Sequence, residues 1–151
     1  KATLSGFANP KMAEWINGSI EDGIEEGGAI DISMNLRNGS PRYVQRDGMH
    51  YMIPTITRCD SIDHSIGNTE FLFPYASVIE MPQEEMIDSI GKSLAVAAIS
   101  NNQDWLDQLI AADHIERLNV GAMPTNHIEW DQPHEGNLFE FLYRRRSIQV
   151  A

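Results

Sequence analysis

The sequence contains a single cysteine, Cys59, and no long hydrophobic run. One cysteine cannot form an intramolecular disulfide, so a disulfide framework is excluded and the composition suits a reducing cytoplasm. The longest apolar run, residues 94–99, is far shorter than the roughly 20 residues that a membrane-spanning helix needs. We therefore expect a globular cytoplasmic protein that does not insert into a membrane.

Basic residues are scarce: 11 Lys and Arg stand against 22 Asp and Glu, which gives a formal net charge of −11. Proteins that bind nucleic acids neutralise phosphates with Lys and Arg, so we expect no nucleic-acid partner. The basic run Arg144, Arg145 and Arg146 is too short and isolated to form a binding face. The sequence also lacks the glycine-rich phosphate loop, the dinucleotide fingerprint and the nucleophile-elbow motif.

Helix and strand signals alternate along the chain, which predicts an α/β fold: a layered sheet with helices on both faces. Asn9 and Pro10 are typical of a helix start, and Gly27 with Gly28 would end that helix. Strands are predicted at 29–34, 51–57, 76–81, 94–99 and 117–120, with a polar loop at 37–47. Further helices are predicted after Pro82 and after Asn102. No repeat or linker interrupts this pattern, which favours one domain.

Residue types that bind metals are frequent in the last third of the chain: His114, His127, Asp131, His134 and Glu135. A zinc site needs three or four ligands that converge at bonding distance. His134 and Glu135 lack the second histidine, one helical turn further on, that a metalloprotease helix carries. We therefore predict no metal site.

Cys59 begins the stretch Cys-Asp-Ser-Ile-Asp-His, which raises the possibility of a nucleophile and base. A catalytic thiolate is stabilised by a helix N-terminus or a nearby cation. Cys59 instead follows a predicted strand and adjoins the negative charge of Asp60, which disfavours a thiolate. We predict an unreactive thiol.

Four segments, taken in order, resemble the C-terminal part of the aldehyde dehydrogenase superfamily. Residues 47–58 (DGMHYMIPTITR) resemble the glycine–aromatic–x–x–Pro–Thr strand of that family. Residues 68–80 (NTEFLFPYASVIE) stand where its members carry Glu-x-Phe-Gly-Pro. Residues 91–102 (GKSLAVAAISNN) resemble its glycine–leucine–alanine strand, and residues 117–126 (RLNVGAMPTN) resemble a short strand that ends in asparagine near the substrate mouth.

The resemblance implies a segment of an enzyme that oxidises an aldehyde to a carboxylic acid with NAD or NADP, through a cysteine thiolate. Residues 1–143 would be part of the catalytic domain, and residues 144–151 an oligomerisation tail. The nucleophile, the general base and the dinucleotide-binding domain would lie before Lys1, so we expect the chain alone to be inactive and to hold no cofactor. The alternative is a stand-alone, non-catalytic dimerisation or interaction module of the same fold. An open reading frame upstream of Lys1 favours the first hypothesis, and a start codon there favours the second.

The resemblance also implies site residues. Glu70 matches the acidic residue that binds the nicotinamide-side ribose, where a carboxylate accepts from two neighbouring hydroxyls. Leu72 and Phe73 replace the family's aromatic residue and glycine, so a loop acid without function remains the alternative. His134 and Glu135 fall in the segment that lines the substrate entrance.

The end of the chain is predicted to mediate assembly. An apolar aromatic run precedes Arg144, Arg145 and Arg146, and a short strand that includes Ile148 and Val150 follows them. A lone terminal strand has unpaired backbone groups and must find a sheet edge. In the resembled family that strand joins a neighbouring subunit, so we expect a homo-oligomer with the three arginines paired to acids across the interface. The alternative is a tail that packs on its own domain.

Overall fold

The computed structural model describes residues 3–124 and residue 126 of the 151. Within them lie three α-helices and seven short strands in small sheets, and the predicted α/β class is confirmed. The elements are α1 (Pro10–Glu25), β1 (Ala29–Asp31), a short 3-10 helix (Met34–Arg37), β2 (Tyr43–Arg46), β3 (Met49–Met52), β4 (Thr55–Cys59), β5 (Tyr75–Ile79), α2 (Gln83–Ile90), β6 (Val96–Ala98), α3 (Gln103–Ala111) and β7 (Leu118–Val120).

The described chain divides into two compact units, and the boundary lies between Met81 and Pro82. The first unit contains a three-stranded sheet of order β1-β4-β5, in which β1 is antiparallel and β5 parallel to β4. It also contains the antiparallel hairpin β2-β3. The second unit contains the parallel pair β6-β7 together with α2 and α3.

Helix α1 begins as the sequence predicts. The side chain of Asn9 accepts a hydrogen bond from the backbone N–H of Lys11 at 3.1 Å, and Pro10 occupies the first helical position. The helix ends before Gly27 and Gly28, whose φ angles of 88° and 80° lie in the left-handed region that favours glycine. Its buried face carries four residues three or four positions apart: Ala13, Ile16, Ile20 and Gly23.

This face of α1 packs in the core of the first unit with residues from the sheet, the hairpin and the loop that follows β4. The buried members besides those of α1 are Ala29, Met52, Cys59, Ile66 and Phe71. Strand β4 alternates strictly: Thr55, Thr57 and Cys59 are buried, and Ile56 and Arg58 are exposed. The carboxyl end of β4 and the loop after it are therefore fixed against α1.

The predicted strand 51–57 is wrong as a single element. It is two strands, β3 and β4, that belong to different sheets. The break falls at Pro54, which has no N–H to donate. Before it, the N–H of Ile53 donates to the carbonyl of Arg42 at 2.7 Å; after it, the N–H of Thr55 donates to the carbonyl of Pro74 at 3.0 Å. The backbone changes its pairing partner across the proline.

The predicted loop 37–47 is also wrong in part, because it contains β2. This strand pairs with β3 through a tight turn at Asp47 and Gly48, whose φ angles are 52° and 76°. Two consecutive positive φ angles with an Asp-Gly sequence are typical of a two-residue hairpin turn. The predicted strand 29–34 is shorter than expected: β1 ends at Asp31, and the 3-10 helix begins at Met34.

In the second unit, α3 begins as predicted, with the side chain of Asn102 accepting from the N–H of Trp105 at 3.2 Å. Three residues of α3 pack with Ala98 of β6: Trp105, Leu106 and Leu109. Ile110, which the helical pattern places beside them, is 63% exposed. The predicted strand 94–99 is longer than the observed one: the strand is reduced to β6, and Ile99, just after it, is 77% exposed.

Candidate functional site

Glu70 lies within the described residues, but most other predicted site residues do not. The residues outside the described part are His127, Asp131, His134, Glu135, Arg144, Arg145, Arg146, Ile148 and Val150. Their predicted roles at the substrate entrance and in oligomerisation therefore stay predictions.

Glu70 stands on the loop of residues 60–74, which joins the parallel strands β4 and β5. Its neighbours alternate between surface and core: Glu70 is exposed, Phe71 is buried, Leu72 is 74% exposed and Phe73 packs against the core. The N–H of Phe73 donates to the carbonyl of Phe71 at 2.8 Å, which closes a tight turn. Two aromatic side chains thus hold the loop while Glu70 and Leu72 remain on its surface.

The first half of the loop is bonded to the chain at the end of α1. The Nδ1 atom of His64 accepts from the N–H of Ile66 at 3.3 Å, so the ring proton is on Nε2, which donates to the carbonyl of Gly27 at 2.9 Å. The hydroxyl of Ser65 donates to the carboxylate of Glu26 at 2.7 Å. These bonds fix the loop before it reaches Glu70.

Close packing holds the middle of the loop. Ile66 is buried against Gly23 of α1, where an added Cβ would lie 2.7 Å from the Cγ2 atom of Ile66. Gly67 is buried as well, and a Cβ there would lie 2.8 Å from the carbonyl oxygen of Ser61. Because real Cβ atoms do not approach other atoms so closely, both contacts depend on glycine.

The resulting arrangement is an exposed carboxylate on a loop that is bonded and packed on both sides. A carboxylate has lone pairs for two hydroxyl donors, which matches the vicinal diol of a ribose. Groups held in place by surrounding contacts bind with less loss of conformational entropy. The ribose-binding role of Glu70 stays a prediction, and the structure places its carboxylate on the surface of a restrained loop.

Cys59 ends β4 and is 1% exposed. Its sulfur lies 3.9 Å from the hydroxyl of Thr57, inside the core of the first unit. A thiol in this position cannot reach a substrate without local unfolding. Cys59 is therefore a core residue of the first unit.

Other site types find little support in the part of the chain that the structure describes. No group of three or more His, Cys, Asp or Glu side chains there could hold a metal ion. The Nε2 atom of His114 donates to the carbonyl of Ile87 at 3.0 Å. None of the described helices is long and apolar enough to cross a membrane.

A cavity of about 120 Å³ lies beside Arg58 and Asp60. It is smaller than the roughly 300 Å³ of small ligand sites.

Sequence reasoning missed a buried cluster of charges around Asp31, whose side chain is only 2% exposed. One carboxylate oxygen accepts from Arg37 at 2.6 Å and from Arg42 at 2.9 Å. The other accepts from the N–H and the hydroxyl of Ser33, at 3.0 and 2.7 Å. Burial by itself raises the pKa of Asp31, but the hydrogen bonds from Arg37, Ser33 and Arg42 outweigh it and lower the pKa to about 2.

The Asp31 cluster connects several elements of the first unit. Arg37 belongs to the 3-10 helix, Arg42 immediately precedes β2, and Arg42 also binds Glu21 of α1 at 2.7 Å. The hydroxyl of Ser33 accepts from the N–H of Ile56 in β4 at 3.0 Å. The cluster thus joins the sheet to residues 37–47, which the sequence predicts to be a polar loop. Arg37 and Arg42, two of the three arginines in that segment, were the signal available in the sequence.

No family model matches the sequence, and no curated protein does. Solved structures of aldehyde dehydrogenases are similar in fold. Glyceraldehyde-3-phosphate dehydrogenase GapN from Methanocaldococcus jannaschii, complexed with NADP, has a TM-score of 0.64 and 21% identity over 87% of this chain. Lactaldehyde dehydrogenase from Escherichia coli has a TM-score of 0.60 and 17% identity over 80% of this chain. Succinic semialdehyde dehydrogenase from Streptococcus pyogenes, complexed with NADP+, has a TM-score of 0.58 and 18% identity over 85%.

The share of those larger chains that is matched is small: 26%, 25% and 28% in the same order. This chain thus spans about a quarter of the length of the structures that it resembles. At identities of about one residue in five, the similarity establishes the fold. The predicted resemblance is confirmed at that level: the chain has the fold of one part of an aldehyde dehydrogenase.

Proposed function

We propose that this chain is a segment of an NAD(P)-dependent aldehyde dehydrogenase, which oxidises an aldehyde to a carboxylic acid. The observation that carries the proposal is the similarity of fold, which extends over 76–87% of the chain. Several of the similar structures hold NAD+ or NADP. The complete enzyme would use one of these two cofactors, and the cytoplasm remains the expected location.

Within that enzyme, we propose that Glu70 binds the nicotinamide-side ribose. Three observations support this role: Glu70 is exposed, its loop is bonded at His64 and packed at Ile66, and no hydrogen bond or ion pair among the described residues uses its carboxylate. A hydrogen bond to a charged group contributes about 1.5–3 kcal/mol. Its loss would weaken cofactor binding roughly 10- to 100-fold. The cofactor itself supplies the hydride acceptor; this chain contributes binding and orientation.

The chain alone should be inactive, because its one cysteine is a core residue. Covalent oxidation of an aldehyde needs an accessible thiolate, and Cys59 is buried. We expect the purified chain, incubated with NAD or NADP and a panel of aldehydes, to produce no reduced cofactor. Turnover that disappears in Cys59→Ser would contradict the proposal and make Cys59 the catalyst.

Dinucleotide binding by the chain alone should be absent or very weak. Glu70 offers one anchor for a ribose, and the sequence has no glycine-rich motif for the pyrophosphate. Calorimetry with NAD and NADP tests this expectation. A micromolar affinity that is lost in Glu70→Ala would mean that this chain holds much more of the cofactor site than we propose.

The remaining expectation concerns assembly. We propose that the tail, with Arg144, Arg145 and Arg146 followed by Ile148 and Val150, joins a second copy of the chain. The net charge of −11 supports this idea, since a second copy offers many acids to the three arginines. A stand-alone dimerisation module is the second candidate function, and the burial of Cys59 favours it over a chain that catalyses by itself.

A further inference from the structure

Glu70 belongs to a short segment between two buried anchors. We call residues 67–70 the Glu70 segment; Ile66 precedes it and Phe71 follows it, and both are buried. Asn68 and Glu70 are exposed. The hydroxyl of Thr69 donates to the carbonyl of Ser65 at 2.8 Å, so the position of Glu70 depends on this bond and on how the two ends of the segment are fixed.

Tyr75, the first residue of β5, contacts both ends of the Glu70 segment. Its hydroxyl donates to the carbonyl of Ile66 at 2.9 Å. Its ring meets the ring of Phe71 edge to face, with 4.9 Å between centroids and 87° between planes. One side chain therefore restrains the entry and the exit of the segment.

A second hydroxyl, that of Thr57, is hydrogen-bonded to the phenol oxygen of Tyr75. The Oγ1 atom of Thr57 lies 2.7 Å from the phenol oxygen, and Thr57 is fully buried in β4. The carbonyl of Ile66 can only accept, so the Tyr75 proton points to it and Thr57 donates to the phenol oxygen. Burial raises the pKa of Tyr75, which keeps this proton in place at neutral pH. Bonds in such a chain polarise and strengthen one another.

Strand β5 holds the next carbonyl as well. The hydroxyl of Ser77 donates to the carbonyl of Gly67. Residues two apart in a strand point to the same face, so Tyr75 and Ser77 act from one side on the consecutive carbonyls of Ile66 and Gly67. Two adjacent attachments fix the direction in which the chain enters the Glu70 segment.

We infer that the hydroxyl of Tyr75, oriented by Thr57, is a positioning group that fixes the Glu70 segment in the conformation that presents Glu70. The importance of this conformation rests on the proposed role of Glu70 in ribose binding. Without the hydroxyl, the carbonyl of Ile66 loses its donor and the segment samples more conformations. Glu70 would then have to be ordered when the ribose binds, which lowers affinity.

Hydrogen exchange in the full chain tests this inference. Tyr75→Phe keeps the ring and removes the hydroxyl; Thr57→Val keeps the shape and removes the donor; Thr57→Ser keeps the donor. We expect exchange in the Glu70 segment to become about tenfold faster in Tyr75→Phe and Thr57→Val, which corresponds to loss of one net hydrogen bond. Exchange in α1 should stay as in the parent, and Thr57→Ser should resemble the parent in both regions.

Three results would overturn the inference. Unchanged exchange in Tyr75→Phe would mean that the hydroxyl fixes nothing. An equal acceleration of exchange in α1 would mean that Tyr75 only supports the core. Equal effects of Thr57→Val and Thr57→Ser would mean that the faster exchange does not come from loss of the Thr57 hydroxyl as a hydrogen-bond donor. Failure of the proposed function has a different signature: the exchange pattern is as expected, but Glu70→Gln leaves the affinity of the complete gene product for cofactor unchanged.

Discussion

Neutralising the carboxylate of Asp31 should destabilise the fold strongly and remove a defined part of its acid sensitivity. In Asp31→Asn, Arg37 and Arg42 stay close together in a nearly buried site. Among the acids in the described part of the chain, only Glu21, which is about half exposed, remains as an ion-pair partner, and it binds Arg42. Breaking a buried ion pair by removing one partner costs about 3–5 kcal/mol. We expect a loss of this size in the free energy of unfolding at pH 7.

The pH dependence follows from the lowered pKa of Asp31. The pKa falls from an ordinary 3.8 to about 2 on folding. Stability from this group is therefore nearly complete above about pH 5 and is lost progressively as the pH falls through about 2. At about 1.4 kcal/mol per pKa unit, the contribution is on the order of 2.5 kcal/mol.

Urea unfolding of the parent and of Asp31→Asn between pH 7 and pH 2 measures both effects. The difference in free energy of unfolding should shrink by about 2 kcal/mol between pH 5 and pH 2, and the rest should be lost below pH 2. Asp63→Asn is the control, because Asp63 is an exposed acid whose loss should change stability by no more than about 0.5 kcal/mol. Parallel curves for the parent and Asp31→Asn in this acid range would refute the reasoning.

Three further predictions concern packing, the thiol and assembly. Gly23→Ala should lower the free energy of unfolding by about 1–3 kcal/mol, because the new methyl group meets Ile66. The control is Gly18→Ala on the same helix, where the methyl group meets nothing within 4 Å. It should raise the free energy of unfolding by up to about 1 kcal/mol in the same urea titration. Cys59 should resist a thiol reagent in the native protein and react in urea, so rapid native labelling would contradict its burial. Light scattering at tens of micromolar should find a dimer or larger assembly that dissociates when residues 144–151 are deleted; a monomeric parent, or an unchanged mass after the deletion, would rule out the assembly role of the tail.

Local signals were readable in the sequence because their causes are local. Asn9 and Asn102 cap the helices that follow them, as a short polar side chain before a helical pattern predicts. Gly91 ends α2 with a φ angle of 63°, in the left-handed region that favours glycine. Glu70 was found through its motif, and its exposure needs only the alternation of residues around Phe71.

Features that depend on contacts between distant residues were not readable. β2 lies in the predicted loop 37–47, and it is a strand because it pairs with β3. β3 in turn lies partly in the predicted strand 51–57, and Pro54 was a signal that this predicted strand should be divided. The burial of Arg42 depends on Asp31, eleven positions earlier. In the same way, the hydrogen bond from the Tyr75 hydroxyl to the Ile66 carbonyl depends on the packing of the loop against α1, and no pattern in the sequence predicts it.

The central claim, that this chain forms part of an aldehyde dehydrogenase in which Glu70 binds the cofactor, is tested most directly by steady-state kinetics of the complete gene product. We predict oxidation of aldehydes that depends on NAD or NADP. Glu70→Gln should raise the KM for the cofactor about tenfold or more, whereas Asp63→Asn, which removes one charge from the same loop, should leave it unchanged. A product that oxidises no aldehyde, or a KM for the cofactor that Glu70→Gln and Asp63→Asn affect equally, would contradict the account.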